Sequence, residues 1–102
     1  KEEMVLTYRQ AIQQAFREVS DSLVAVQKNR ESRERQAALT YSAGEAAKLA
    51  DIRYKGGASS YLEVLSSQTD LFDAEIGLAQ AQLNERVAVV QLYSALGGGW
   101  KP

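Results

Sequence analysis

The chain has 102 residues, enough for one small domain. Its 12 basic and 13 acidic residues leave a formal net charge of −1, so it lacks the field that gathers nucleic acid or binds an anionic membrane surface. Histidine and cysteine are both absent, which excludes disulfides, thiol and imidazole catalysis, and nearly all transition-metal sites.

The hydrophobic fraction is 45%, but much of it is alanine and only 8% of the chain is aromatic. Such a composition suits thin helix-on-helix packing better than a thick core. No apolar run approaches the roughly 18 residues of a membrane-crossing helix, and no signal peptide pattern is present. The chain opens on Lys1-Glu2-Glu3, inside an already helical pattern and without an N-cap. That start reads as a cut within a longer helix.

Nothing between Glu2 and Tyr54 breaks a helix except the tolerated Gly44, because the one proline is Pro102. Apolar residues at Val5, Tyr8, Ile12, Ala15, Phe16, Val19, Leu23 and Val26 recur in steps of three and four, which predicts one helical stripe. A helix over about 2–54 would be roughly 80 Å long at 1.5 Å per residue. Length of this kind belongs to coiled coils and helical tube walls. The stretch Lys28-Asn29-Arg30-Glu31-Ser32-Arg33-Glu34-Arg35 interrupts the stripe with charge. A solvated helix face is the plainer reading, and a polar belt against another chain is the functional one. Beyond it the stripe resumes on a shifted face at Leu39, Ala43, Ala46, Leu49 and Ile52.

Gly56-Gly57 supplies the positive φ that a helix C-cap requires. Ser60 followed by Glu63 is a capping box for a second helix. The sequence therefore predicts a turn over 55–59, a helix over about 60–96 and a glycine-rich tail over 97–102, with Gly97 as C-terminal cap. The second helix carries two stripes. One runs through Leu62, Leu65, Thr69, Phe72, Ile76, Ala79, Leu83, Val90 and Tyr93, the other through Val64, Leu71, Leu78, Val89, Leu92 and Leu96. A hairpin partner covers only one of them, so the other calls for a further helix.

A tight turn makes the two helices antiparallel. Counting outward from Gly57 sets Leu49 against Leu65, Ala46 against Thr69, Ser42 against Phe72 and Leu39 against Ile76, with Ala37 and Ala38 near Gly77. The first sixteen or so residues are left without a partner in the second helix. Gly44 and Gly77 stand inside helices, where glycine costs about 1 kcal/mol relative to alanine. Close helix packing is the first account of them, and local bending the plainer one.

No catalytic constellation appears. There is no phosphate-binding glycine loop, no G-x-S-x-G and no metal-ligand spacing. Asp70, Asp73 and Glu75, and Asp51 with Arg53, are ordinary helix surface charges, and Ser59, Ser60, Ser66 and Ser67 lack a base. A non-enzymatic chain without a cofactor is expected. Tyr54 and Tyr61 flank the turn. Packing across the hairpin mouth and presenting a docking surface are both open to them.

The run Leu49-Ala50-Asp51-Ile52-Arg53-Tyr54-Lys55-Gly56-Gly57-Ala58-Ser59-Ser60-Tyr61-Leu62-Glu63-Val64-Leu65-Ser66-Ser67-Gln68 resembles the periplasmic hairpin of the TolC/OprM-like outer-membrane factors, the outer membrane efflux proteins. Their pattern is roughly a-x-x-R-Y-x-x-G-x-x-x-Y-L-x-V-L-x-x-Q. Tyr8-Arg9-Gln10-Ala11 to Phe16-Arg17-Glu18-Val19 is similar to the start of the family's last long helix. Leu92-Tyr93-Ser94-Ala95-Leu96-Gly97-Gly98-Gly99-Trp100 is similar to the segment that closes its helical domain, as in the OprM-like lipoprotein branch.

The resemblance implies an all-α fragment, a long antiparallel coiled-coil hairpin from the second repeat of a periplasmic α-barrel. Family members are trimers with a β-barrel in a Gram-negative outer membrane and a helical tunnel in the periplasm. They serve as exit ducts of tripartite pumps or type I secretion systems. The implied partners are other copies of the channel, a periplasmic adaptor protein and an inner-membrane pump. Gly57, Ala58, Ser59, Ser60, Tyr61 and Leu62 are then the expected adaptor contacts. Tyr54 matches a tip tyrosine that in some members joins a network holding the tunnel end shut. The arginine of that network after the turn is absent, and Ser59 stands near its place. Glu63 matches an acidic position at the tunnel constriction, and Ser66 stands where many members have a second aspartate. Tyr54, Glu63 and Ser66 are thus the expected gating positions, with two departures from the pattern.

Two other readings compete. A free-standing coiled-coil hairpin acting as a dimeric scaffold would begin with its own helix cap. An amphipathic membrane-surface hairpin would carry a polar face rich in Lys and Arg, whereas here acids balance bases.

Overall fold

The computed structural model describes residues 2–98. Two α-helices run antiparallel, α1 over Glu2–Lys55 and α2 over Tyr61–Gly98, with residues 56–60 between them. The architecture is a helical hairpin. α1 stays unbroken because it holds no proline and only one glycine. Arg53 and Lys55 in its last turn sit favourably against the negative end of the helix dipole.

Contacts divide the described residues into two compact units, 31–83 and 2–30 with 84–98. In the first unit the shielded positions on α1 repeat every seven residues, as Arg33, Thr40 and Ala47 and as Gln36, Ala43 and Ala50. α2 answers with Val64, Leu71 and Leu78 and with Ser67, Ala74 and Ala81. These are the two seam positions of a heptad on each helix. The Thr40 hydroxyl lies 3.0 Å from the Ala74 carbonyl, which fixes the register. Stepping from that pair toward the turn matches Ala43 with Leu71, Ala47 with Ser67, and Ala50 with Val64. Ala50 and Val64 are 5% and 2% exposed and close the seam behind the turn.

In the second unit the same spacing runs through Ala15, Val19, Ser22, Val26 and Asn29 on α1, and through Glu85, Ala88, Leu92 and Ala95 on α2. Arg30 pairs with Glu85 at 3.7 Å. Residues 2–14 are exposed throughout. Val5, Tyr8 and Ile12 keep the heptad spacing there but nothing covers them.

The levels expected from the turn are those observed, but the facing residues are not. Leu39, Leu49, Phe72 and Ile76 are 60, 56, 61 and 53% exposed. Alanine, serine, threonine and glutamine fill much of the seam instead, facing Val64, Leu71 and Leu78 on α2, because small side chains on one helix leave room for larger ones on the other. Most of the other large apolar residues are left outside. Of the two stripes on α2, the one through Val64, Leu71, Leu78 and Leu92 is covered, and the one through Leu62, Leu65, Phe72 and Ile76 is exposed. This exposed stripe is itself a strict heptad: Leu62, Thr69, Ile76, Leu83 and Val90 alternate with Leu65, Phe72, Ala79, Arg86 and Tyr93.

The two internal glycines differ. A Cβ on Gly77 would stand 2.7 Å from the Gln36 amide nitrogen, so the end of that side chain fills the space a methyl would take. A Cβ on Gly44 would meet Leu71 Cδ1 at 3.8 Å, an ordinary contact. At the far end α2 continues through Gly98 rather than stopping at Leu96. Gly97 does not take the positive φ that a left-handed cap needs, and among the described residues only Gly57 does. The rest of the expected tail, with Trp100, lies outside the described residues.

Candidate functional site at the hairpin tip

α1 ends in a Schellman motif. Gly57 has φ +80°, its N–H donates to the Tyr54 carbonyl at 3.0 Å, and the Ala58 N–H donates to the Arg53 carbonyl at 2.8 Å. Two carbonyls that the helix end would leave open are thereby satisfied. α2 starts with Ser60 as N-cap, whose hydroxyl accepts from the Glu63 N–H at 3.4 Å. The other half of the expected capping box is used differently. The Glu63 carboxylate lies 3.4 Å from Arg53 Nη1, across the turn. Asp51 pairs with Lys55 at 3.0 Å rather than with Arg53, because four residues, not two, bring side chains together on a helix face.

Tyr54 and Tyr61 meet with ring centroids 5.3 Å apart and planes tilted by 55°. Both remain partly exposed, at 42 and 55%. The tyrosines therefore clasp the mouth of the hairpin and still present surface. Leu62 is 74% exposed and points an uncompensated apolar side chain at solvent. Gly57, Ala58 and Ser60 are exposed beside it, while Ser59 is half-buried with its hydroxyl shielded from solvent and without a hydrogen bond.

The positions expected to gate come together only in part. Tyr54 and Glu63 lie at the base of the turn, Tyr54 in ring contact with Tyr61 and Glu63 in the pair with Arg53. Ser66 is exposed one turn along α2, outside both contacts. Its neighbour Ser67 turns inward and donates to the carbonyls of Glu63 and Val64, each at 3.0 Å. Sequence reasoning missed Arg53 as the partner of Glu63. The signal was available: Arg53 and Glu63 stand at equal distances along the chain on either side of Ala58, in the middle of the turn. It missed Gln36 and Thr40 as well, because polar residues beside a charged stretch look like solvated surface.

Among the described residues no acidic cluster could hold a metal ion, and no helix is long and apolar enough to cross a membrane.

The family model described as outer membrane efflux protein matches residues 1–98. Outer membrane protein OprJ of Pseudomonas aeruginosa is 40% identical over 100 residues, covering 98% of this chain and 21% of that protein. The solvent efflux pump outer membrane protein SrpC of Pseudomonas putida is 43% identical over 96 residues, covering 94% of this chain and 20% of that one. The pyoverdine export outer membrane protein OpmQ of Pseudomonas putida is 39% identical over 101 residues, covering 99% and 22%. The chain thus spans about a fifth of the length of the curated relatives it matches. A hairpin with this tip, matched across nearly all of its residues, belongs to the outer membrane efflux protein family.

Proposed function

We propose that this hairpin is a length of the periplasmic tunnel wall in a trimeric outer-membrane efflux or secretion channel, and that its tip docks a periplasmic adaptor protein of a tripartite pump. The observation that carries the wall reading is the pair of heptad seams on α2. One seam is covered by α1, and the other, from Leu62 to Tyr93, is exposed. In a heptad these two sets of positions lie about 150° apart around the helix. A helix with neighbours on two nearly opposite sides is a stave in a curved wall. A turn of about 30° per helix closes after about a dozen helices. Three subunits with two hairpins each would supply that number.

The exposed apolar and aromatic surface of Leu62 and Tyr61, on a turn held by backbone hydrogen bonds, supports the docking reading. Transport would proceed by opening, with no covalent step. Tyr54 and Glu63 stand at the base of the tip as gating residues, and Ser66 weakens any acidic ring there. Efflux of solvents or pyoverdine is attributed to relatives, and the cargo of this chain's parent would be of that broad kind.

The test uses the full-length channel with its pump. Gly57→Pro and Tyr61→Ala are expected to impair adaptor cross-linking and efflux more than Arg33→Ala. Equal activity in all three would sink the assignment of the tip.

A further inference from the structure

The seam in residues 31–83 is built largely of small side chains, and one such layer is much like the next. An alanine-rich seam therefore discriminates poorly between registers that differ by one heptad. One place in it is unlike the rest. The Gln36 amide nitrogen donates to the Ala74 carbonyl at 3.2 Å. The Thr40 hydroxyl lies 3.0 Å from the same carbonyl and 2.9 Å from the Gln36 carbonyl. The Gln36 amide lies over Gly77, where a Cβ would come within 2.7 Å of its nitrogen and 3.1 Å of its carbonyl carbon. All four residues are half-buried.

We propose that Gln36, seated over Gly77 with Thr40 beside it, is the register key of the hairpin. It positions α2 along α1 and so sets the level at which the exposed faces of the two helices stand. In a register shifted by one heptad, the place of Gly77 passes to Asp70 or to Asn84. Each brings a Cβ to the point where Gln36 needs none. The layers beside it exchange like for like, with Leu71 replaced by Val64 or Leu78, and Ala74 by Ser67 or Ala81, while at the ends Val64 gives way to Gly57 in the one shift and Leu78 to Glu85 in the other. The notch penalises the shift in both directions, through the bond from Gln36 to Ala74 that either one gives up. The short turn restrains register too, and the Gln36 notch adds to that restraint within the seam. The inference does not depend on the tunnel reading, since it concerns only contacts inside this chain.

The chain contains no cysteine, so introduced pairs report register directly. Ala43→Cys would be combined with Leu71→Cys for the observed register, and with Val64→Cys or Leu78→Cys for the two shifted ones. Oxidation is run dilute and the intramolecular product is quantified. With Gln36 and Gly77 intact, the Leu71→Cys pair should dominate. Gln36→Leu should lower its preference over the shifted pairs by roughly 2- to 10-fold, the range an ordinary hydrogen bond supports. Gly77→Ala should do the same, and Thr40→Val more weakly. Should Gly77→Ala fail to fold, Gln36→Leu decides, because it keeps the glycine and a similar side-chain volume. An unchanged preference in a helical Gln36→Leu chain would overturn the proposal.

Discussion

The rings of Tyr54 and Tyr61 face each other at 5.3 Å across a link whose one left-handed residue is Gly57. The contact joins the last turn of α1 to the first residue of α2. Tilted aromatic pairs contribute about 0.5–1.5 kcal/mol beyond the area they bury. Partial exposure places this pair toward the lower end. A double-mutant cycle of Tyr54→Ala and Tyr61→Ala, read by urea unfolding of the chain, should give a coupling energy of about 0.5 kcal/mol. Purely additive effects would show that the rings are neighbours without being partners.

Three glycines give three different outcomes when replaced by alanine. At Gly57 the backbone has φ +80°, and Gly57→Ala should cost about 1–2 kcal/mol. At Gly77 the added methyl displaces the flexible end of Gln36 and with it the bond to Ala74, which offsets the helix-propensity gain, so Gly77→Ala should change stability by less than about 1 kcal/mol. At Gly44 the new Cβ finds ordinary contact with Leu71, and Gly44→Ala should gain up to about 1 kcal/mol from helix propensity. Thermal melts followed by circular dichroism would order the three. A destabilising Gly44→Ala would mean that the backbone there bends in a way only glycine permits.

The Arg53–Glu63 pair crosses the turn with both side chains about half exposed. Such pairs contribute about 0.2–1 kcal/mol and weaken with salt. Glu63→Gln should therefore change stability by less than about 1 kcal/mol, and the difference should shrink at about 1 M salt, where the screening length is about 3 Å. A large, salt-insensitive loss would point to a structural role for Glu63 beyond this pair.

Phe72 and Ile76 are 61 and 53% exposed on the uncovered seam of α2. A stripe of this length on a free surface favours association. The chain should self-associate in sedimentation experiments. Phe72→Asp with Ile76→Asp should move it toward monomer without reducing helicity, because neither residue packs within the hairpin. A strictly monomeric, well-folded parent chain would count against the wall reading.

By itself the sequence determined the hairpin. The long uninterrupted pattern, the Gly56-Gly57 break and the Ser60 cap are local signals, and local hydrogen bonding at the turn obeys them. It determined the level of the pairing too, since a short turn leaves little freedom in how two helices run back. It also showed that α2 carries more apolar surface than one partner can cover. Which face turns inward was decided only in the tertiary structure. Hydrophobicity favours Leu49 and Phe72 for the seam, but two long helices come closest where side chains are small. Ala43, Ala47, Ala50 and Ala74 therefore lie between the helices beside Val64, Leu71 and Leu78, and most of the bulky residues remain outside. The same choice placed Gln36 over Gly77, a contact between residues far apart in sequence that no local pattern announces.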